Sequence, residues 1–164
     1  MTKQLIRITA DSTCDLSPEL IRENNIAIKP MVVNMGDKCC YDGGDITPAE
    51  IFAYVAAGNP LCTTSAVSIG EYQDFFAEQL KDYDAIIHVN LGSGFSSTHR
   101  NAVLAAEEFE NVSVVDSRNL STGHGHVVLE ACRLLKNAKN SSSVQTGAAS
   151  ICVTRDALWQ NGHL

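Results

Sequence analysis

The chain has no C-x-x-C pair and no cysteine and histidine spacing of a zinc finger, although it carries six cysteines, Cys14, Cys39, Cys40, Cys62, Cys132 and Cys152. Without those spacings neither a redox motif nor a structural metal is indicated, so they are read as thiols, and Cys132, on the apolar face of a helix pattern, as core. Positive charge is scarce: 12 Lys and Arg stand against 19 Asp and Glu, a net charge of −7. Such a balance repels phosphate backbones and anionic lipid surfaces, which argues against nucleic acid as a partner. No apolar run approaches the roughly 18 residues that a membrane span needs. The first ten residues, MTKQLIRITA, lack the apolar stretch of a signal peptide. A cytoplasmic location without a membrane span is expected. Internal repeats are absent as well.

What is present is an alternation of β-rich and helix-periodic stretches. "QLIRITADSTCDLSPELIREN" reads as a strand, a break at Asp11 and Ser12, and a helix with Ser17 as N-cap and Pro18 at its first position. "IAIKPMVVNMG" reads as a second strand, ended by a turn at Gly36 and Asp37, and another turn stands at Gly43 and Gly44. Two capping boxes follow, Thr47 with Glu50 and Ser68 with Glu71, the second opening a helix with Ile69, Tyr72, Phe76 and Leu80 on one face; Gly58 sits where the first of these helices would stop. "YDAIIHVNLG" is nearly continuous in apolar residues, as a parallel strand covered on both faces is. After it come a helix with Ala102, Ala105, Ala106 and Phe109 on one face, the strand "NVSVVDS", and a helix from about Ser121 to Lys139 that buries Val128, Ala131, Cys132 and Leu135. Arg133, Lys136 and Lys139 suit the negative end of its dipole. The pattern predicts an α/β fold with a mostly parallel sheet flanked by helices, and about 164 residues suffice for one core.

In such sheets ligands bind outside the carboxyl ends of the strands, where Asp11 and Ser12, the stretch Gly92 to Thr98, and Asp116 to Gly125 all fall. Small hydroxyl residues leading into a helix favour an anion, because free N–H groups and the helix dipole attract negative charge. Ser93, Ser96, Ser97 and Thr98 meet this description, as do Thr63, Thr64 and Ser65. The plainer alternative is that each set only caps a helix. A hydrolase is a further alternative, since Ser96, Asp116 and His124 follow the order of an α/β-hydrolase triad, but Ser97 occupies the place where the elbow wants glycine. His124 and His126 diverge on a helix and lack a third ligand, so no metal is expected. "GSGFSS" lacks both the Walker lysine and the third glycine of a dinucleotide loop.

Four motifs in order, "ITADSTCDLSPEL", "TTSAVSIGEYQDFF", "GSGFSSTHRNAVLAA" and "VVDSRNLSTGHGHVVLEA", resemble the N-terminal half of the DegV family, over about residues 4 to 136. The resemblance implies a protein that is not itself an enzyme and takes no cofactor. It binds one long-chain fatty acid and presents the carboxylate to a separate ATP-dependent fatty-acid kinase subunit. It also implies that the carboxylate hydroxyls fall on Thr64, Ser65 and Ser96. The loop reading adds Asp11, Ser12, Ser93 and Ser97 in support; Asp11, which would repel a bound anion, is expected to orient Ser12 or loop N–H groups, the alternative being that it only fixes its loop. The family's glycine is Ser97 here, and its Gln-Pro after Thr-Ser is Ala66-Val67. Residues 1–139 are then the fatty-acid-binding domain and 140–164 a linker or divergent tail, the family's second domain having no counterpart. A domain lacking its second wall exposes apolar surface, so self-association is expected. A non-binding structural domain is the remaining alternative.

Overall fold

The computed structural model describes residues 5–137. Lys139, Cys152 and the expected tail at 140–164 lie outside them. Thirteen elements follow in chain order: β1 (Ile6–Asp11), a 3-10 turn (Ser12–Cys14), α1 (Pro18–Glu23), β2 (Ala27–Lys29), β3 (Val32–Met35), β4 (Lys38–Tyr41), α2 (Pro48–Ala56), β5 (Thr63–Ser65), α3 (Ile69–Gln79), β6 (Ala85–Asn90), α4 (Thr98–Ala106), β7 (Val112–Asp116) and α5 (Thr122–Asn137). They form two sheets. The first, ordered β2-β1-β6-β7, is wholly parallel; the second, ordered β4-β3-β5, is antiparallel.

The central sheet is covered on both faces, and strand periodicity divides its side chains between them. Ile87 and Val89 of β6 join Ile8, Ala10 and Val115 under α5, against Val127, Val128, Ala131 and Cys132. Ile86, one residue out of phase, joins Tyr72 and Phe76 of α3 and Ala102 and Ala105 of α4 on the opposite face. All six residues of β6 are therefore buried, which explains its continuous apolar run. The local signals operate as expected: Thr47 with Glu50, and Ser68 with Glu71, form reciprocal capping boxes, and Ser17 with Pro18 starts α1. Leu135 is half-buried rather than core, and Phe109 lies beyond the end of α4, packed against its cluster.

Two expectations need correction, and the sequence pattern leaves one strand unassigned. "IAIKPMVVNMG" is two strands, β2 and β3, in different sheets, because Pro30 has no N–H for a ladder and restricts Lys29 before it. The segment after the turn at Gly36 and Asp37 continues as β4, closing a hairpin in which Val33 lies opposite Cys40. Thr63, Thr64 and Ser65 are not a loop feeding a helix but strand β5, paired with Val32 to Asn34. Sequence periodicity gave no sign of this second sheet, since its strands are three and four residues long and its core is small: Val33, Cys40 and Ile46, with Met35, Ile51 and Cys62 packed against them.

Candidate functional site

The chain runs from β1 outward to β2 and later returns to β6 on the other side of β1, so the strand order reverses between β1 and β6. At such a reversal the loops after the two strands part and leave a crevice. Asp11 ends one strand and Asn90 the other.

Asp11 is fully buried. Its Oδ2 accepts from the Leu91 N–H at 2.7 Å and from Asn90 Nδ2 at 3.0 Å; its Oδ1 accepts from the Thr13 N–H at 3.1 Å and from the Thr13 hydroxyl. One carboxylate thus holds the first residue of the Leu91–Thr98 turn and the 3-10 turn after β1. Asp11 thereby orients the Thr13 and Leu91 N–H groups. Ser12 is held elsewhere, its Oγ accepting from the Met31 N–H at 3.1 Å.

Around this carboxylate lies a polar cluster that the sequence reading did not assemble: His88, Asn90, Tyr72 and His124, each buried. Burial, then the nearby charges of His124 and His99, push the His88 imidazole down to about 3, so it is neutral. Asn90 Nδ2 lies 3.0 Å from His88 Nε2 and 2.8 Å from the Tyr72 hydroxyl. A neutral ring that accepts at Nε2 carries its proton on Nδ1, 2.8 Å from Thr9 Oγ1. Asn90 Oδ1 is buried with no hydrogen-bond partner among the described residues. Turning the amide over would set that oxygen against the Asp11 carboxylate, so Asp11 selects the orientation. Burial first, and the charge of Asp11 second, push the Tyr72 hydroxyl above its ordinary range. His124 Nε2 donates to the Val89 carbonyl at 3.0 Å, and its Nδ1 lies 3.3 Å from Thr13 Oγ1 and 3.8 Å from Asp11 Oδ1. The signal for His88 and Asn90 was available: two polar residues, two apart and so on one face, within an otherwise apolar strand.

The turn above this cluster is fitted closely to the loop after β7. Gly92 donates its N–H to the Asn119 carbonyl at 2.9 Å, and a Cβ on Gly92 would stand 2.8 Å from the Arg118 carbonyl carbon. Ser93 donates its N–H to Asp116 Oδ1 at 3.1 Å, and Arg118 does so at 2.8 Å. Burial works to raise the Asp116 carboxyl, but these bonds outweigh it and hold the group below its usual range. Ser96 caps α4: its Oγ accepts the Thr98 N–H at 3.1 Å and donates to Thr98 Oγ1 at 2.9 Å. Ser97, at the formal cap position, makes no side-chain capping bond and is exposed.

Thr64 and Ser65 are exposed on β5. Consecutive strand residues project to opposite faces, so Thr64 shares a face with Val33 and Cys40, and Ser65 with Asn34, whose Nδ2 donates to Ser65 Oγ at 2.7 Å. The two hydroxyl stretches meet the same helix: Asn101 of α4 donates to the Val67 carbonyl at 2.8 Å, and Val67 is buried beside Leu91, Ala102 and Ala105. A cavity of about 390 Å³ lies on the other side of β1, and Ser12 is the only one of the candidate residues that lines it. The Ser96, Asp116 and His124 order does not assemble a triad, because the ring nitrogens of His124 face Val89 and Thr13. Cys14, Cys39, Cys40, Cys62 and Cys132 are free thiols; burial pushes Cys14 and Cys132 up to about 11.

The profile of the DegV family, described as uncharacterised, matches residues 5–156. The chain belongs to the DegV family. That match runs past residue 136, where the quoted motif resemblance stops. Among curated relatives, a DegV domain-containing protein of Clostridium acetobutylicum is 36% identical over 142 residues, 85% of this chain and 51% of the relative. This DegV chain spans about half the length of the curated relatives it matches. Among solved structures, a DegV family protein from Thermus thermophilus, described by its fatty acid binding, is 32% identical with a TM-score of 0.83, covering 90% of this chain and 53% of that one. DegV of Bacillus subtilis, described as a fatty acid binding protein, is 26% identical with a TM-score of 0.83, covering 91% and 54%. No helix of the described residues is long and apolar enough to cross a membrane.

Proposed function

We propose that this DegV chain binds a long-chain fatty acid and presents its carboxylate at the crevice between β1 and β6 to a separate ATP-dependent kinase, its own part being binding rather than catalysis. The observation that carries the reading is Ser96, a hydroxyl at the start of α4 on the turn that Asp11 holds at the strand-order reversal; Thr64 and Ser65 end the strand β5, and Val67, two residues on, accepts a hydrogen bond from the same helix. Neutral donors recognise a carboxylate without a basic surface, which suits a chain of net charge −7. Asp11 holds the underlying turn, Ser12 ties the turn after β1 to Met31, Ser93 ties the Gly92 to Thr98 loop to Asp116, and Ser97 follows Ser96 in the turn. The similarity to the Thermus thermophilus protein supports the same ligand class.

The acyl chain supplies most of the affinity. At about 0.8 kcal/mol per buried methylene, a sixteen-carbon chain draws on the order of 10 kcal/mol from a closed tunnel. Phe95 stands 62% exposed beside Ser96, and Leu120 45% exposed on the adjoining loop, as hydrocarbon-facing residues do before a ligand or a second surface covers them. On this reading the chain offers an open groove, and weak palmitate binding and self-association through the uncovered surface are its consequences. Native mass spectrometry of protein purified from bacteria, palmitate titration and light scattering test this. Co-purifying acyl lipid and palmitate binding that Ser96→Ala weakens are expected; absence of any acyl lipid by both routes overturns the reading. Labelling of Ser96 by a fluorophosphonate would point to hydrolysis instead.

A further inference from the structure

The cavity of about 390 Å³ at the carboxyl ends of β1 and β2 has a lining unlike that of the fatty-acid rim. Leu16, Ile21, Ile28 and Pro30 form an apolar wall, exposed Asp15 and half-buried Asp42 stand at it as the acidic residues, and no lysine, arginine or histidine lines it. Its volume falls within the usual range for small-molecule sites.

Two of its walls are tied to one buried residue. Met31, 6% exposed, donates its N–H to Ser12 Oγ at 3.1 Å and accepts the Asp42 N–H at its carbonyl at 2.9 Å. The turn after β1 and the turn after β4 are thereby held facing each other before any ligand arrives. Asp15 stands in the left-handed region with φ 49°, its N–H bonded to the Ser12 carbonyl. Both carboxylates keep contact with water, so a purely hydrocarbon guest gains nothing from them, and an anion is repelled by both. A cation on a hydrocarbon body answers the wall and the carboxylates together.

We propose that this cavity binds an aliphatic ammonium, a primary amine on a short hydrocarbon chain, with the charge against Asp15 and Asp42 and the methylenes on Leu16, Ile21, Ile28 and Pro30. The proposal does not depend on the fatty-acid reading. The same chemistry is offered by a free amine and by a lysine side chain of another protein, so both are probed. Titration of the ¹⁵N-labelled 164-residue protein with n-hexylammonium is read at the Gly43 and Gly44 amides, beside N-acetyl-lysine amide as the lysine probe and n-hexanol and hexanoate as neutral and anionic controls.

Saturable shifts with at least one of the two cations are expected, about two- to fivefold weaker in Asp15→Asn and in Asp42→Asn, where one partly solvated charge is lost. The tighter of the two probes identifies the source. Asparagine enters the left-handed region as readily as aspartate, so Asp15→Asn keeps the turn and decides the matter if Asp42→Asn disturbs the fold. Absence of saturable shifts with both cations overturns the proposal. So do hexanol binding as tightly as the cations, tighter binding of hexanoate, or unchanged affinity in Asp15→Asn. Palmitate shifting the same amides assigns the cavity to an acyl chain and equally overturns it.

Discussion

The two hydroxyl stretches of the proposed site are built in opposite ways. The Ser96 turn rests on buried polar groups: its first residue, Leu91, is held by Asp11, and Ser96 itself caps α4. Thr64 and Ser65 stand exposed on an edge strand, and only Ser65 has a side-chain partner, Asn34. In the first stretch binding geometry and folding free energy draw on the same contacts; in the second they are separable. A buried network sets position at the risk of stability, whereas an edge strand leaves a hydroxyl open to a ligand at little structural consequence.

Asp11→Ala is the strongest way to break that difference. It leaves the Leu91 and Thr13 N–H groups without their acceptor and takes one acceptor from Asn90 Nδ2, and we expect a loss of about 3 kcal/mol or more in unfolding free energy, measured by urea denaturation. A loss below 1 kcal/mol would show that the network does not hold the turn.

The next effect is on pH. His88 titrates at about 3 in the folded chain against an ordinary 6.5. Between these values the unfolded chain binds the proton and the folded chain does not, so stability is intact above 6.5 and falls as pH drops toward 3. At pH 5 the loss from this group is about 2 kcal/mol. His88→Gln should remove that part of the slope; a wild-type stability curve that stays flat from pH 7 to 5 would contradict it.

Ser96→Ala should cost about 1 kcal/mol of stability as a lost cap, together with a ten- to hundredfold loss of palmitate affinity, about 1.5 to 3 kcal/mol. Thr64→Ala should leave stability within about 0.5 kcal/mol while lowering palmitate affinity over a similar range. Melting curves beside calorimetric titration read both quantities. Equal melting temperatures for the two variants would erase the distinction between a networked and an open hydroxyl.

Local chemistry made much of this legible. The capping boxes at Thr47 and Ser68, the start of α1 at Pro18, and the fully buried β6 follow from side chains acting on backbone within a few residues or from an uninterrupted apolar run. The order of the motifs pointed to the family. Hidden from that reading were the second sheet and the cluster around Asp11. β5 is three exposed residues whose strand character comes from pairing with β3, a partner about thirty positions earlier, so no local pattern contains it. The bonds from Asn90 and Leu91 to Asp11 span 79 and 80 positions. In this chain the sequence by itself determined helix starts, apolar faces and the hydroxyl turn that opens α4. Only the tertiary structure decided which polar residues meet beneath that turn, because their contacts exist only once β1 and β6 lie side by side.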